Sequence, residues 1–224
     1  MLNRRGLTTA LGRFVSWTRR DLLSLALAGG MVMALMTAPV RADKLEDGAA
    51  GFIKSVAETA INSLATKDTD RHERIRRFRV MFNDNFAVRS IGKFVLGRYW
   101  RQASDTEKAE YLKLFEDLMV ISYVDRFAEY AGESLMVEKA RSESENTATV
   151  FSTIERPGGA KPIRVNWRVG TNGTIYKILD VVVEGTSMSN TLRSDFSSIV
   201  RRNGGQVSGL IDELRAKTTA LKAE

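Results

Sequence analysis

The chain has no cysteine, one histidine (His72) and three prolines in 224 residues. Each scarcity removes a class of function. Without Cys there is no disulfide framework, thiol nucleophile, zinc finger or iron–sulfur site. A single His excludes a multi-histidine metal centre. A Gly-rich phosphate loop, metal-ligand spacing and a nucleophile elbow are also missing. Long apolar runs are missing too. The weakly apolar stretch at 22–36, interrupted by Gly29 and Gly30, falls short of the roughly 20 residues that span a bilayer. What is present is ordinary globular composition, 43% hydrophobic and 27% charged, which excludes disorder and suits one domain.

The formal charge of +7 invites a nucleic-acid reading until its position is examined. Residues 1–42 hold Arg4, Arg5, Arg13, Arg19, Arg20 and Arg41 against Asp21 alone, a balance of +5. Residues 43–224 carry 28 basic and 26 acidic side chains, only +2. A basic start, an apolar core, and small residues Val40 and Ala42 before the break describe a cleavable signal peptide over 1–42. The short run disfavours an uncleaved anchor. Thr18-Arg19-Arg20-Asp21-Leu22-Leu23 resembles a twin-arginine signal, which leaves two export routes open. No Cys follows the break, so no lipoprotein anchor is expected. The expected address is the periplasm, where a nucleic-acid partner is not expected.

The remainder, 43–224, reads as one α+β domain. Phe52, Val56, Ala60 and Leu64 recur every four residues and predict an amphipathic helix over 44–65. A second helix is expected over 71–86, with Ile75, Phe78, Phe82 and Phe86 on one face. Arg71, Arg74, Arg76, Arg77 and Arg79 crowd its other face. A short helix over 88–96 breaks at Gly97. Ser104 and Glu107 form a capping box that opens the longest helix, 104–130, about 40 Å at 1.5 Å per residue. The period then changes to two. Strands are expected at 134–141, 147–156, 162–169 and 174–184, with turns at 157–159 and 171–173. Asn172-Gly173 suits a two-residue type I′ hairpin. The expected sheet is therefore a curved four-stranded antiparallel meander. Its fourth strand is apolar on both faces, hence central or covered on both sides. Helices at 190–202 and 207–221 close the chain.

Candidate chemistry is sparse. His72 lies among charged residues with no orienting carboxylate and reads as a solvated surface residue. Asp180 and Glu184 sit in the fourth strand, where pairing across to Arg168 or Arg164 is the expected role. The Arg-rich face at 71–79 reads as a solvated face with local pairs, or as a docking patch for an acidic partner or lipid headgroups. No residue is assigned a catalytic role and no metal or cofactor is expected.

One segment is distinctive. The string IGKFVLGRYWRQAS at 91–104 packs aromatic rings among cations and two glycines, and is followed by Glu107, Phe115 and Leu118. With YKILDVVVEGTS at 176–187, RSDF at 193–196 and LIDEL at 210–214, it resembles the MlaC family of periplasmic phospholipid-binding proteins, also called toluene-tolerance auxiliary proteins. The likeness runs in order over the whole of 43–224. Departures are Ile175-Tyr176-Lys177, where many members have Trp-Lys, and the unusual arginine density at 68–79. The family includes paralogues linked to hopanoid gene clusters, so the lipid implied is a phospholipid or a related lipid.

The resemblance implies a mixed fold whose curved sheet and helices enclose an apolar pocket for acyl chains. It implies a soluble carrier between an inner-membrane lipid ABC transporter complex and an outer-membrane lipoprotein complex, and no enzyme. The long helix offers Phe115, Leu118, Met119, Tyr123 and Phe127 to such a pocket. The sheet offers Val150, Ile154, Val165, Trp167, Val169, Ile178, Val181 and Val183. Periodicity alone does not separate pocket lining from core for any of them. Arg98, Arg101 and Arg168 are candidates for headgroup or partner contact, since a guanidinium forks onto phosphate; structural anchoring is the alternative for each. Two competing readings stay open. One is an exported interaction protein with a solid core. The other is a small enzyme using Asp180 at a cavity floor.

Overall fold

The computed structural model describes residues 40–65, 69–130 and 132–223. Two units divide the chain at Val40, and the fold described is that of the second. The leader expected at 1–42 lies outside the described residues except for its last three, which open the first helix.

Four helices come first: α1 (Val40–Leu64), α2 (Arg71–Asn85), α3 (Val88–Leu96) and α4 (Asp105–Ala128). A 3₁₀ turn, Gly97–Arg101, joins α3 to α4. The sheet follows, with β1 (Ser134–Ser144), β2 (Thr147–Glu155), β3 (Ile163–Thr171), β4 (Tyr176–Val183) and β5 (Thr186–Ser187). Helices α5 (Met188–Arg202) and α6 (Val207–Ala223) end the chain.

Local chemistry sets the helix boundaries. The Asp70 carboxylate accepts the backbone N–H groups of His72 (2.9 Å) and Glu73 (3.4 Å) and starts α2. Ser104 and Glu107 form the capping box read from the sequence: Glu107 N–H donates to Ser104 Oγ (3.2 Å) and Ser104 N–H to Glu107 Oε2 (2.8 Å). Gly97 ends α3 at φ +59°, where a side chain is strained.

The Arg-rich face of α2 is tied down rather than open. Arg71 forks onto Asp125 (3.2 and 3.1 Å), and Arg79 reaches Glu116 and Asp117 (both 2.7 Å). Arg76 and Arg77 share Glu73 (2.7 and 2.8 Å). Arg74 is buried and donates to the carbonyls of Leu64 (3.1 Å) and Thr69 (2.8 Å). Burial alone would raise the Asp117 carboxyl, but hydrogen bonds from Lys222 and Arg79 hold it below the usual carboxylate range. Solvated local pairs therefore describe Arg76 and Arg77, whereas Arg71 and Arg79 pin α2 to α4.

The strands pair antiparallel in the order β1-β2-β3-β4-β5. The sheet has five strands, not the four expected. The extra strand is two residues long, too short for alternation to register, and follows the turn at Glu184 and Gly185. The β3–β4 turn also differs. Thr171 pairs with Tyr176, so the connection is longer than a two-residue hairpin. Asn172 Oδ1 accepts the N–H groups of Thr174 (3.0 Å) and Ile175 (2.9 Å), an Asx turn in place of type I′. Nor is β4 central. Beyond its two pairs with β5, its edge is covered by the α2–α3 junction, where Ala87 N–H donates to Ile178 O (3.0 Å). Register shifts at 137/139, 142/144 and 168/169 bend the sheet.

The apolar residues gather in two clusters. One joins α2, α3, α4, α5 and α6 around Tyr111, Phe115 and Phe196, with the end of α1. The other packs Leu45, Ala49, Ile53 and Val56 of α1 onto Ala148, Val150, Val169 and Ile178 of the sheet.

Candidate functional site

Where the two clusters meet they do not close. A cavity of about 380 Å³ lies between them. Helix α1 lines it with Ile53, Val56, Ala57, Ala60 and Ile61, the spacing of one helical face. Phe78, Met81 and Phe82 line it from α2, and Phe86 from just beyond. Phe115, Met119, Tyr123 and Phe127 recur every fourth residue down α4. Each of the first four strands gives one apolar residue: Leu135, Ile154, Trp167 and Val181. Leu135 lies opposite Ile154, and Trp167 opposite Val181. Met188, Ser189 and Leu192 of α5 complete the wall.

The polar groups in this wall are already bonded. Trp167 Nε1 donates to Ser152 Oγ (3.0 Å), and that hydroxyl donates to Val165 O (2.5 Å). The indole can then present its ring to the cavity with no orphaned N–H. Asp180 accepts from Val181 N (2.9 Å), Ser187 Oγ (2.5 Å) and Ser189 N (3.0 Å). It caps the first turn of α5 instead of pairing with Arg168 across the sheet. Glu184 does pair with Arg164 (3.3 Å). Desolvation pushes the Tyr123 phenol above its ordinary range, so it stays neutral.

Polar residues mark one end. Arg126 and Ser134 are exposed, and Tyr130 and Glu133 are half-buried. Tyr130 OH donates to Glu133 O (2.9 Å), and Arg126 lies 3.7 Å from Glu129. An apolar chamber with a polar rim can hold a long hydrocarbon while its polar end stays in water.

The residues singled out from the sequence divide. Phe115, Met119, Tyr123, Phe127, Ile154, Trp167 and Val181 line the cavity. Leu118, Val150, Val165, Val169 and Ile178 are buried elsewhere, and Val183 is half-buried outside the lining. Arg98 and Arg101 line a separate groove. Arg168 bonds Glu143 (2.9 Å) on the sheet. Sequence reasoning did not assign the α1 and α2 walls to the pocket. The available signal was Ala57 and Ala60, small residues on an otherwise bulky helical face.

A protein-family model described as MlaC protein matches residues 54–216. The intermembrane phospholipid transport system binding protein MlaC of Haemophilus influenzae is 24% identical over 116 residues, covering 50% of this chain and 54% of that protein. Toluene tolerance protein ttg2D of Pseudomonas putida is 23% identical over 115 residues, covering 51% and 53%. The chain thus spans about half the length of the curated relatives it matches. A phospholipid-binding protein from Ralstonia solanacearum, solved in complex with a phospholipid, superposes with a TM-score of 0.67 at 19% identity, over 78% of this chain and 98% of that one. That likeness shows a shared fold.

Proposed function

The chain belongs to the MlaC family, and on that premise we propose that it is a soluble periplasmic carrier of phospholipid or a related lipid. The observation that carries the proposal is the apolar cavity at the junction of two otherwise packed clusters. Protein interiors are close-packed. An apolar concavity of about 380 Å³ leaves the side chains that line it without packing partners on one side, which an apolar occupant would supply. Its size and lining suit an apolar occupant. Walls of aliphatic and aromatic carbon on every side suit acyl chains.

One chain of about 15 methylenes contributes about 12 kcal/mol gross at about 0.8 kcal/mol each. The net is smaller because chain order is lost, yet release into water is still slow. Handover therefore needs contact with a donor or acceptor, which fits a shuttle between an inner-membrane lipid ABC transporter complex and an outer-membrane lipoprotein complex. The headgroup sits at the rim near Arg126 and Tyr130. Asp180 accepts three hydrogen bonds around the start of α5, a structural role that accords with a carrier that leaves its lipid unchanged. Among the described residues no helix is long and apolar enough to cross a membrane.

The test is uptake. Delipidated 43–224 incubated with vesicles containing radiolabelled phosphatidylglycerol is expected to leave the vesicles with bound label. Protein recovered without label would overturn the reading.

A further inference from the structure

A second concavity, of about 550 Å³, lies on the outer side of α3 and the turn after it. Lys93, Phe94, Arg98, Trp100, Arg101 and Arg193 line it, and no acidic side chain does. Among the described residues none of its four cations forms an ion pair with a carboxylate. This contrasts with α2, where Arg71, Arg76, Arg77 and Arg79 each have one.

The groove is built, not incidental. Arg193 of α5 lies over the Phe94 ring (4.7 Å) and donates to Phe94 O (3.2 Å). A Cβ on Gly97 would sit 3.2 Å from that guanidinium, so the glycine gives it room. Arg98 stacks on Tyr99 (4.9 Å) and donates to its hydroxyl (2.8 Å). Phe94 is nonetheless 43% exposed. Helix α3 is thus two-sided. Ile91, Val95 and Leu96 are buried on its inner face, and Ile91 also lines the lipid cavity, while Lys93 and Phe94 face outward.

We propose that this groove docks the protein on the surface of an anionic phospholipid bilayer. Guanidinium and ammonium groups without acidic partners match headgroup phosphates. An exposed ring held among them matches the apolar level just below the headgroups, as in interfacial helices that pair cations with Phe or Trp. A free polyanion would answer the charges but leave Phe94 without a counterpart. Docking through α3 brings one wall of the lipid cavity to the membrane.

The experiment is vesicle flotation of 43–224 at low salt. Wild type is expected to float with phosphatidylcholine vesicles containing phosphatidylglycerol, to stay behind with pure phosphatidylcholine, and to be released as salt is raised. Each cation removed weakens association about 5-fold, so the Lys93→Gln, Arg101→Gln double variant loses about 25-fold. Phe94→Ala also weakens it. Neutralising exposed Arg141 and Arg156 by the same substitutions leaves most of the binding. Ala57→Trp, which fills the cavity, still floats, so the groove is tested apart from cargo. Circular dichroism melting confirms that the variants are folded. Equal flotation with both vesicle types, wild-type flotation of the double variant, or an equal loss in the Arg141 and Arg156 control would overturn the proposal. So would binding confined to an acidic membrane-protein partner with none to protein-free vesicles.

Discussion

The inner cavity is walled mostly by carbon from α1, α2, α3, α4, α5 and four strands, whereas the outer groove is walled by cations and rings drawn from 90–101 and Arg193. Helix α3 is common to both. Behind the inner face of α3 the polar atoms of the cavity wall, such as Trp167 Nε1 on β3 and the Asp180 carboxylate on β4, already have partners. The outer face of α3 is the opposite case, with charges left unpaired in reach of solvent. Burying an unpaired charge is costly, so the cations that lack acidic partners lie outside the apolar chamber. Here one amphipathic helix of nine residues separates them.

The sharpest way to break this contrast is to fill the inner chamber. Ala57→Trp places an indole where acyl chains are proposed to lie. Lipid uptake from vesicles is expected to fall at least 30-fold, roughly 2 kcal/mol in affinity, with melting unchanged or raised because a void is filled. Retained uptake would move the lipid elsewhere. Next comes a change beside the chamber but not in it. Leu118 is buried and absent from the lining; Leu118→Ala is expected to destabilise by about 2–5 kcal/mol, read by urea unfolding, while the folded fraction still takes up lipid. A smaller effect is expected at Asp180. Asp180→Asn weakens the α5 cap by about 1 kcal/mol, lowering the melting temperature by about 2–4 °C, with uptake intact. Loss of uptake at unchanged stability would give Asp180 a direct role at the cavity.

The smallest effect is a pH dependence on the α2 face. Hydrogen bonds from Arg76 and Arg77 lower the Glu73 carboxyl from 4.5 to about 2. The folded value is depressed, so this group favours the native state above about pH 4.5 and ceases to as pH falls to about 2. Glu73→Gln is expected to flatten that part of the acid unfolding curve slightly, while the Lys93, Arg101 double variant leaves its shape alone.

Much of the fold was legible in the sequence because it is locally encoded. Ser104 and Glu107 mark the start of α4 by their own hydrogen bonds, and the alternation of Ile163, Val165, Trp167 and Val169 marks β3. The corrections fall where tertiary contacts decide. That β4 is covered was legible from its two apolar faces, but not that the chain at Phe86 and Ala87, far away in sequence, helps to cover it; β5 is too short to carry a period. The run of rings and cations at 91–104 stood out in the sequence and offered Arg98 and Arg101 as contact candidates, but the groove itself did not, because Arg193, far away in sequence, closes it over Phe94. Nor did the cavity. Leu118 and Met119 are neighbours of similar hydrophobicity, one in the core and one on the void, and only the packing of α4 between two clusters separates them. A helical period reports which face is inside, not whether the inside is filled.

Occupancy is the most direct measure of that difference. Residues 43–224, exported and purified without detergent, can be weighed by native mass spectrometry and stripped for lipid analysis. Wild type is expected to carry a stoichiometric added mass that dissociates as phospholipid or a related lipid, and Ala57→Trp to run at the mass of the bare chain. A wild-type protein at bare-chain mass that stays bare after incubation with phospholipid vesicles would contradict a lipid-carrying cavity.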